Sequence, residues 1–416
     1  MTRSTKKPAA KAASRRSANP SRVKSSKSSA KSSASVELLL ELLALSGPSG
    51  GEGPVADFII KRLRGAGLPA EAVLRDSPPK DSPVAGAAGN LIVKLPGTRR
   101  GRRRMLSAHM DTVPICQGAR PVKRGRKIVA ADRATGLGGD DRAGCAVILA
   151  TALELLSGGH EYPPLTFLWT VQEEVGLHGA RTAKLGLLGR PRMGFNWDGR
   201  GASQLTIGAT GGYRMGITVN GIASHAGGHP EDGVSAIAVA SLAIADLVHN
   251  GWHGLIEKGG RRGTSNVGII AGGAATNVVT DRVALRAEAR SHDADFRVRI
   301  VREMERAFEQ ASRQVKTAAG KTGSVEFDGR LDYEAFRLDR DEPAVQLAAA
   351  AVVGEGLAVD YNVANGGLDA NWLTMRGVPT VTLGCGQNSI HTAAEWLDLD
   401  EFERAVAIAG RVATME

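Results

Sequence analysis

The sequence predicts an α/β protein, a sheet covered on both faces by helices, with a separate α+β unit inserted into it. Three observations carry this expectation. Between residues 36 and 208 short apolar runs alternate with helical patterns, the order that builds strand–helix–strand units. From 209 to 336 the texture changes to a β-α-β-β-α-β succession of the ferredoxin-like kind, large enough to fold alone. Residues 337–416 then resume the first pattern with a helix, a strand and a closing helix.

Taken in order, Ser35 is placed to cap the apolar run Val36–Leu45, and Pro54 opens a helix that ends near Gly65 or Gly67. Asn90–Leu95 and Met105–Ala108 read as strands, and the basic Arg99–Arg104 segment between them as an exposed hairpin turn. Arg142–Leu156 reads as a helix closed by Gly158, and Leu165–Val171 as a buried strand. In the inserted unit the strands are Tyr213–Val219, Ser265–Ile270 and Arg282–Arg290, and the helices Val234–Val248 and Asp293–Val315. Thr380–Leu383 is the strand of the last part, and no internal repeat interrupts the chain. Ligand sites of such sheets lie beyond the carboxyl ends of the strands.

Composition agrees with a globular enzyme. The 416 residues are 42% apolar, enough for two or three domains, and 52 glycines with 23% charged residues exclude a coiled coil or fibre. No run approaches the roughly 18 apolar residues of a spanning helix, and no apolar segment follows the basic start as in a signal peptide. Cys116, Cys145 and Cys385 are odd in number and scattered, so neither a disulfide framework nor a zinc ribbon is expected, and a reducing cytoplasm is. The net charge of +10 resides in residues 1–35, which hold ten Lys or Arg and no acid, leaving 43 basic against 43 acidic residues elsewhere. This Ser/Ala-rich tail cannot bury enough apolar surface to order itself. It is either an arm for nucleic acid or another polyanion or, more plainly, a solvated extension without catalytic consequence.

The chemistry collects just after apolar strands. In Ser107-Ala-His-Met-Asp111 an extended backbone points His109 and Asp111 the same way, so the acid can orient the imidazole. Gly139-Asp-Asp-Arg-Ala-Gly144 places an acid pair at a helix start, where simple capping is the alternative. Gln172-Glu-Glu-Val175 follows the buried strand; adjacent side chains diverge, so one glutamate can ligate a cation while the other faces a substrate. Crowded carboxylates there need a cation or a proton. Asn196-Trp-Asp198 and Asn388-Ser-Ile-His391 complete a set of two imidazoles and three carboxylates, suited to zinc, cobalt or manganese in a dinuclear site with one bridging acid.

These residues resemble the dizinc exopeptidases and deacylases that include peptidase T, carboxypeptidase G and acetylornithine deacetylase. The resemblance spans about residues 35–416 and rests on His109-Met-Asp-Thr-Val-Pro114, Gly139–Gly144, Gln172-Glu-Glu-Val-Gly176, Ala223-Ser-His-Ala-Gly227, Thr276-Asn-Val-Val279 with Glu288-Ala-Arg290, and Gly366-Gly-Leu-Asp369. It implies that His109 and Asp198 hold one metal, Glu174 and His391 the other, and Asp140 bridges them. Glu173 would be the general base and Asp111 the orienter of His109. The inserted unit would be a lid that commonly dimerises, with His225 donating to the oxyanion and Arg290, near Asn277, clamping a substrate carboxylate. Arg142 stands where the family usually has Lys, and Leu368 where it usually has Thr or Ser. His160, His178, His229, His249, His253 and His292 fall outside the pattern and are expected at the surface or in loops. The expected activity is a peptidase T-like aminopeptidase of short peptides, with an N-acyl amino acid deacylase or carboxypeptidase as the alternative, and polyanion binding by the tail as a reading of another class.

Overall fold

The computed structural model describes residues 34–416. The basic segment, apart from residues 34 and 35, lies outside the described residues. The described chain begins in a helix, 34–43, in which Ser35 is already a buried member and not a cap standing before it.

A nine-stranded mixed sheet forms the centre of the molecule, and its strands run in the spatial order Val73–Arg75, Leu91–Leu95, Leu165–Thr170, Arg104–His109, Met193–Trp197, Thr380–Leu383, Gln204–Ala209, Phe336–Arg337. Asp360–Ala364 also pairs with Gln204–Ala209. The four middle strands, from Leu165–Thr170 to Thr380–Leu383, are parallel. Arg104–His109 and Leu165–Thr170 are buried at every position, as strands covered on both faces must be. Alternation sends Leu106, Ala108, Phe167 and Trp169 into one core, under helices 34–43, Gly53–Gly65, Gly139–Leu156, Pro343–Gly354 and Leu399–Thr414. Ile92, Met105 and Leu168 face the other way, onto Ala180, Leu188 and Leu373 of a smaller cluster.

The Arg99–Arg104 segment is not a hairpin turn. Leu91–Leu95 and Arg104–His109 flank Leu165–Thr170 on opposite sides, so the segment crosses over a strand. Its arginines hold the end of the chain: Arg104 donates to the carbonyls of Val412 and Met415 at 2.6 Å each, and Arg99 to those of Thr414 and Met415 at 3.1 and 2.6 Å. Guanidinium groups on the last carbonyls of a helix satisfy acceptors that have no intrahelical donor and sit at the negative end of its dipole.

A second sheet of five antiparallel strands runs Gly254–Lys258, Arg261–Gly272, Arg282–Ser291, Gly211–Asn220, Ser324–Tyr333. Four of these keep the ferredoxin-like order. Gly254–Lys258 adds an edge strand that the sequence does not announce, because only Ile256 in it is buried and its apolar period is lost. Helices Ala236–His249 and Ala294–Gln314 cover one face over a core of their own, with Met215, Ile217, Phe296 and Phe308 at its centre. The first starts at Ala236, two residues beyond the expected Val234, because the Ser235 side chain accepts from Ala238 N at 3.2 Å and caps it. Asp293 caps the second through Phe296 N at 2.9 Å. No helix among the described residues is long and apolar enough to cross a membrane.

Candidate metal centre and active site

The four parallel strands end at one rim of the large sheet, and the chain past each end delivers an acid or an imidazole. His109 closes its strand, Glu173 and Glu174 follow Leu165–Thr170, Asp198 follows Met193–Trp197, and His391 comes after Thr380–Leu383. Asp140 enters from helix Gly139–Leu156. Gly138 turns the chain into that helix at a φ of +76°, and Asp140 and Asp141 keep non-helical dihedrals in its first turn. A Cβ at Gly144 would lie 2.1 Å from the Trp197 carbonyl, so only glycine lets the helix approach this closely.

Two imidazoles share one carboxylate. His109 Nε2 lies 3.0 Å from Asp140 Oδ1, and His391 Nε2 lies 3.1 Å from Asp140 Oδ2. His391 also meets Glu174 Oε2 at 3.0 Å. Ligand atoms of His109, Asp140 and Glu174 come within 4.8 Å of one another, as do those of His109, Asp141 and Asp198. The Nδ1 of His109 is closer to the Asp111 carbonyl, at 3.1 Å, than to its carboxylate, at 3.5 Å. That carboxylate also accepts from Ser49 Oγ at 2.7 Å and from the backbone N–H groups of Glu173 and Glu174 at 3.0 and 3.2 Å. The glutamate pair is therefore held on a turn by Asp111. Gln172 bends the chain at a φ of +55°, so the pair does not continue the extended strand.

The charges explain one another. Hydrogen bonds to Asp140 and Glu174 push His391 up to about 10, well above the usual imidazole range. Burial opposes the charge of His109, but its hydrogen bonds to Asp111 and Asp140 outweigh it and hold the imidazole well above its ordinary value. Burial opposes the charge of Asp140 too, yet both histidines keep it below the carboxylate range. Burial, reinforced by nearby acids, pushes Glu173 and Asp198 well up. Protons on the imidazoles offset the crowded acids in the way cations would. Each oxygen of Asp140 faces a different imidazole, so this carboxylate fits a bridge between two divalent ions and the surrounding N/O donors fit their remaining positions.

The other three expected residues stay apart from this cluster. His225 is exposed, and its Nδ1 accepts from Gly227 N and Gly228 N at 3.2 and 2.8 Å. Asn277 is exposed on the adjoining turn, its carbonyl taking Ala226 N at 2.9 Å. Arg290 forms a two-pronged ion pair with Glu288 at 3.0 Å. All of these contacts lie within the second sheet's unit.

One expectation is overturned: His178 is not at the surface but 1% exposed, with no hydrogen bond to either ring nitrogen. The chain folds back after Glu174, His178 N donating to Gln172 O at 3.1 Å, which carries the ring inward. Burial and nearby arginines push it below the ordinary imidazole value.

Several contributors escape the sequence. Asp141 accepts from His109 N at 3.1 Å and Gly144 N at 3.0 Å, tying strand to helix; its pairing with Asp140 was the available signal. Asp369 is buried beneath the site against Thr170, and burial raises it to about 6; it lies in the Gly366–Asp369 motif. Glu395 accepts from Leu137 N, Gly138 N and Asp140 N at 2.7, 2.8 and 3.1 Å and so holds the turn that presents Asp140. Its partner Asp140 is 255 positions away, and no local pattern links them.

Fold and site define a metallohydrolase of the α/β type with a separate α+β unit, and comparison with known proteins names its family. Residues 105–415 match peptidase family M20/M25/M40, and the chain belongs to it. It is 31% identical over 378 residues to the uncharacterized protein YqjE of Bacillus subtilis (90% of this chain, 96% of that protein). It is 28% identical over 387 residues to carboxypeptidase G2 of a Pseudomonas species (91% and 87%). Among solved structures, a tripeptidase from Staphylococcus aureus superposes with a TM-score of 0.82 and the aminopeptidase PepT from Bacillus cereus with 0.79, each at 28% identity and covering 92% of this chain and 98% of its own. The chain is a metal-dependent enzyme that hydrolyses peptide amide bonds.

Proposed function

We propose that the protein is an aminopeptidase of short peptides that works with two divalent ions, zinc by preference, and that Asp140 bridges them. The single observation carrying this reading is the Asp140 carboxylate, one oxygen toward His109 and the other toward His391. In it, His109 and Asp198 would hold one ion and Glu174 and His391 the other, while Asp111 would orient His109 and fix the glutamate turn. The likeness to a tripeptidase and to PepT over nearly the whole chain supports aminopeptidase action; the likeness to carboxypeptidase G2 supports the alternative of a carboxypeptidase or N-acyl amino acid deacylase. Those activities differ in what the second unit recognises and not in the bond broken.

When bound, the ions would polarise the scissile carbonyl and lower the pKa of a water. Glu173 would take a proton from the attacking water at its carboxylate and return it to the leaving amine, and burial raises its affinity for the proton. On the second unit, two backbone N–H groups donate to Nδ1 of His225, which leaves the proton on Nε2 as an outward donor for the oxyanion. Arg290, with Asn277, clamps a substrate carboxylate once Glu288 is displaced. The second unit acts as a lid and as the contact between two copies of the chain. Three free, buried cysteines support a reducing, cytoplasmic setting.

Elemental analysis of protein purified without chelator should approach two divalent ions per chain, and a panel of tripeptides, dipeptides and N-acetyl amino acids should show amine release mainly from the peptides. Because the acidic cluster raises the proton affinity of both imidazoles, ions and protons compete for them. Affinity should therefore fall as pH drops, and calorimetry in buffers of different ionisation enthalpy should register proton release. Fully active protein without metal would sink this reading. The basic tail is proposed to lie outside catalysis: deletion of residues 2–33 should leave turnover unchanged while abolishing any salt-sensitive affinity for nucleic acid. A large loss of turnover would assign the segment to the enzyme.

A further inference from the structure

Two crossings join the units, one at Thr210, between Gln204–Ala209 and Gly211–Asn220, the other at Glu334, between Ser324–Tyr333 and Phe336–Arg337. One side chain holds both. The Nδ2 of Asn371, in helix Asp369–Met375, donates to the Thr210 carbonyl at 3.0 Å and to the Glu334 carbonyl at 2.7 Å. Its Oδ1 accepts from Leu368 N at 2.8 Å, and the residue is fully buried. Both amide hydrogens are thereby used, each on a different crossing.

The crossings are gripped from the other side as well. Thr210 N donates to Ala364 O at 3.0 Å. The Glu334 carboxylate takes both terminal nitrogens of Arg297, a buried residue of the second unit, at 2.5 and 2.9 Å. A Cβ on Gly211 would come within 2.1 Å of Arg297 Nη1 and 2.7 Å of Ala335 N, so the two crossings run side by side without slack.

We infer that Asn371 is a positioning residue that sets the angle between the second unit and the large sheet that carries the acidic cluster. Any rotation of that unit must pass through Thr210 and Glu334 and move their carbonyls relative to helix Asp369–Met375. A planar amide in one rotamer satisfies both carbonyls in one arrangement only, and leaving it strands one buried and one part-buried acceptor. The same short helix begins with Asp369, which hydrogen-bonds Thr170 at the end of a site-bearing strand. Lid angle and site floor thus share one rigid turn. The inference rests on the reading of the second unit as a lid.

The test measures the hinge apart from the chemistry. Spin labels on cysteines placed at exposed Arg64 and Arg302, one in each unit, report the distance between units, the three native cysteines being buried. Asn371→Ala should shift or broaden the distance distribution and raise KM for a tripeptide by about 10-fold, with metal content unchanged. Trp372→Phe, which deletes a neighbouring bond from Nε1 to the Asp332 carbonyl at 3.1 Å but leaves both crossings held, should match the parent protein. If Asn371→Ala does not fold, Asn371→Ser, which keeps a donor for one carbonyl, is judged by the same criteria. An unchanged distribution in the folded variant, or an equal shift in Trp372→Phe, overturns the inference. A shifted distribution with unchanged hydrolysis upholds it and removes the lid from the mechanism.

Discussion

Glu173→Gln is expected to lower turnover by about 100-fold or more, the scale of a lost general base, while both metal ions remain bound. The substitution is nearly isosteric, and the turn that carries the residue is held through its backbone by Asp111, at 3.0 Å from Glu173 N. What is lost is the capacity to take a proton from water and return it to the leaving amine. Glu174→Gln should behave differently. Its carboxylate meets His391 at 3.0 Å and gathers with Asp140 and His109, so neutralising it should weaken metal binding first and turnover as a consequence. Amine release and elemental analysis on the same preparations separate the two effects. Metal loss in Glu173→Gln with retention in Glu174→Gln would interchange the two roles.

His225→Ala should cut turnover by roughly 100- to 1,000-fold, as for removal of one oxyanion donor, again with metal content unchanged. The residue is exposed on the second unit, and its ring contacts are with its own turn. For His225 to serve as that donor, either the lid closes by hinge motion over its own site or a second copy supplies its lid across a two-fold interface. Mixing decides between them. In a mixed dimer of His225→Ala and Glu173→Gln, one site receives both intact residues only if the histidine is supplied in trans, so partial recovery marks that arrangement. Absence of recovery after proven subunit exchange leaves closure within one chain. An unimpaired His225→Ala protein would remove the residue from the mechanism.

The chain order of strands and helices, and the acids and imidazoles that follow the strands, were legible in the sequence, because apolar runs of period two and strand-end placement are local properties. His109, the Glu173–Glu174 pair, Asp198 and His391 after strands, and the Asp140–Asp141 pair at a helix start, were readable for that reason, whereas the choice of Asp140 and Glu174 within their pairs came from the family resemblance. The edge strand Gly254–Lys258 was not, since one buried residue leaves no period to read. Nor was the place of His178, whose burial follows from a turn and not from its neighbours in sequence.

Tertiary structure alone decided how the pieces face each other. It gave the Asp111 carboxylate the glutamate turn to hold as well as the imidazole, set Glu395 under Asp140, turned the arginines of the crossover onto the last helix, and placed Asn371 between two crossings. Each of these is a hydrogen bond between residues far apart in the chain, and such a bond leaves no mark on either segment's composition. The sequence by itself determined which chemical groups reach the rim of the sheet; packing decided which atoms of those groups meet, because that depends on the angle between elements whose contacts are made only after the chain has folded.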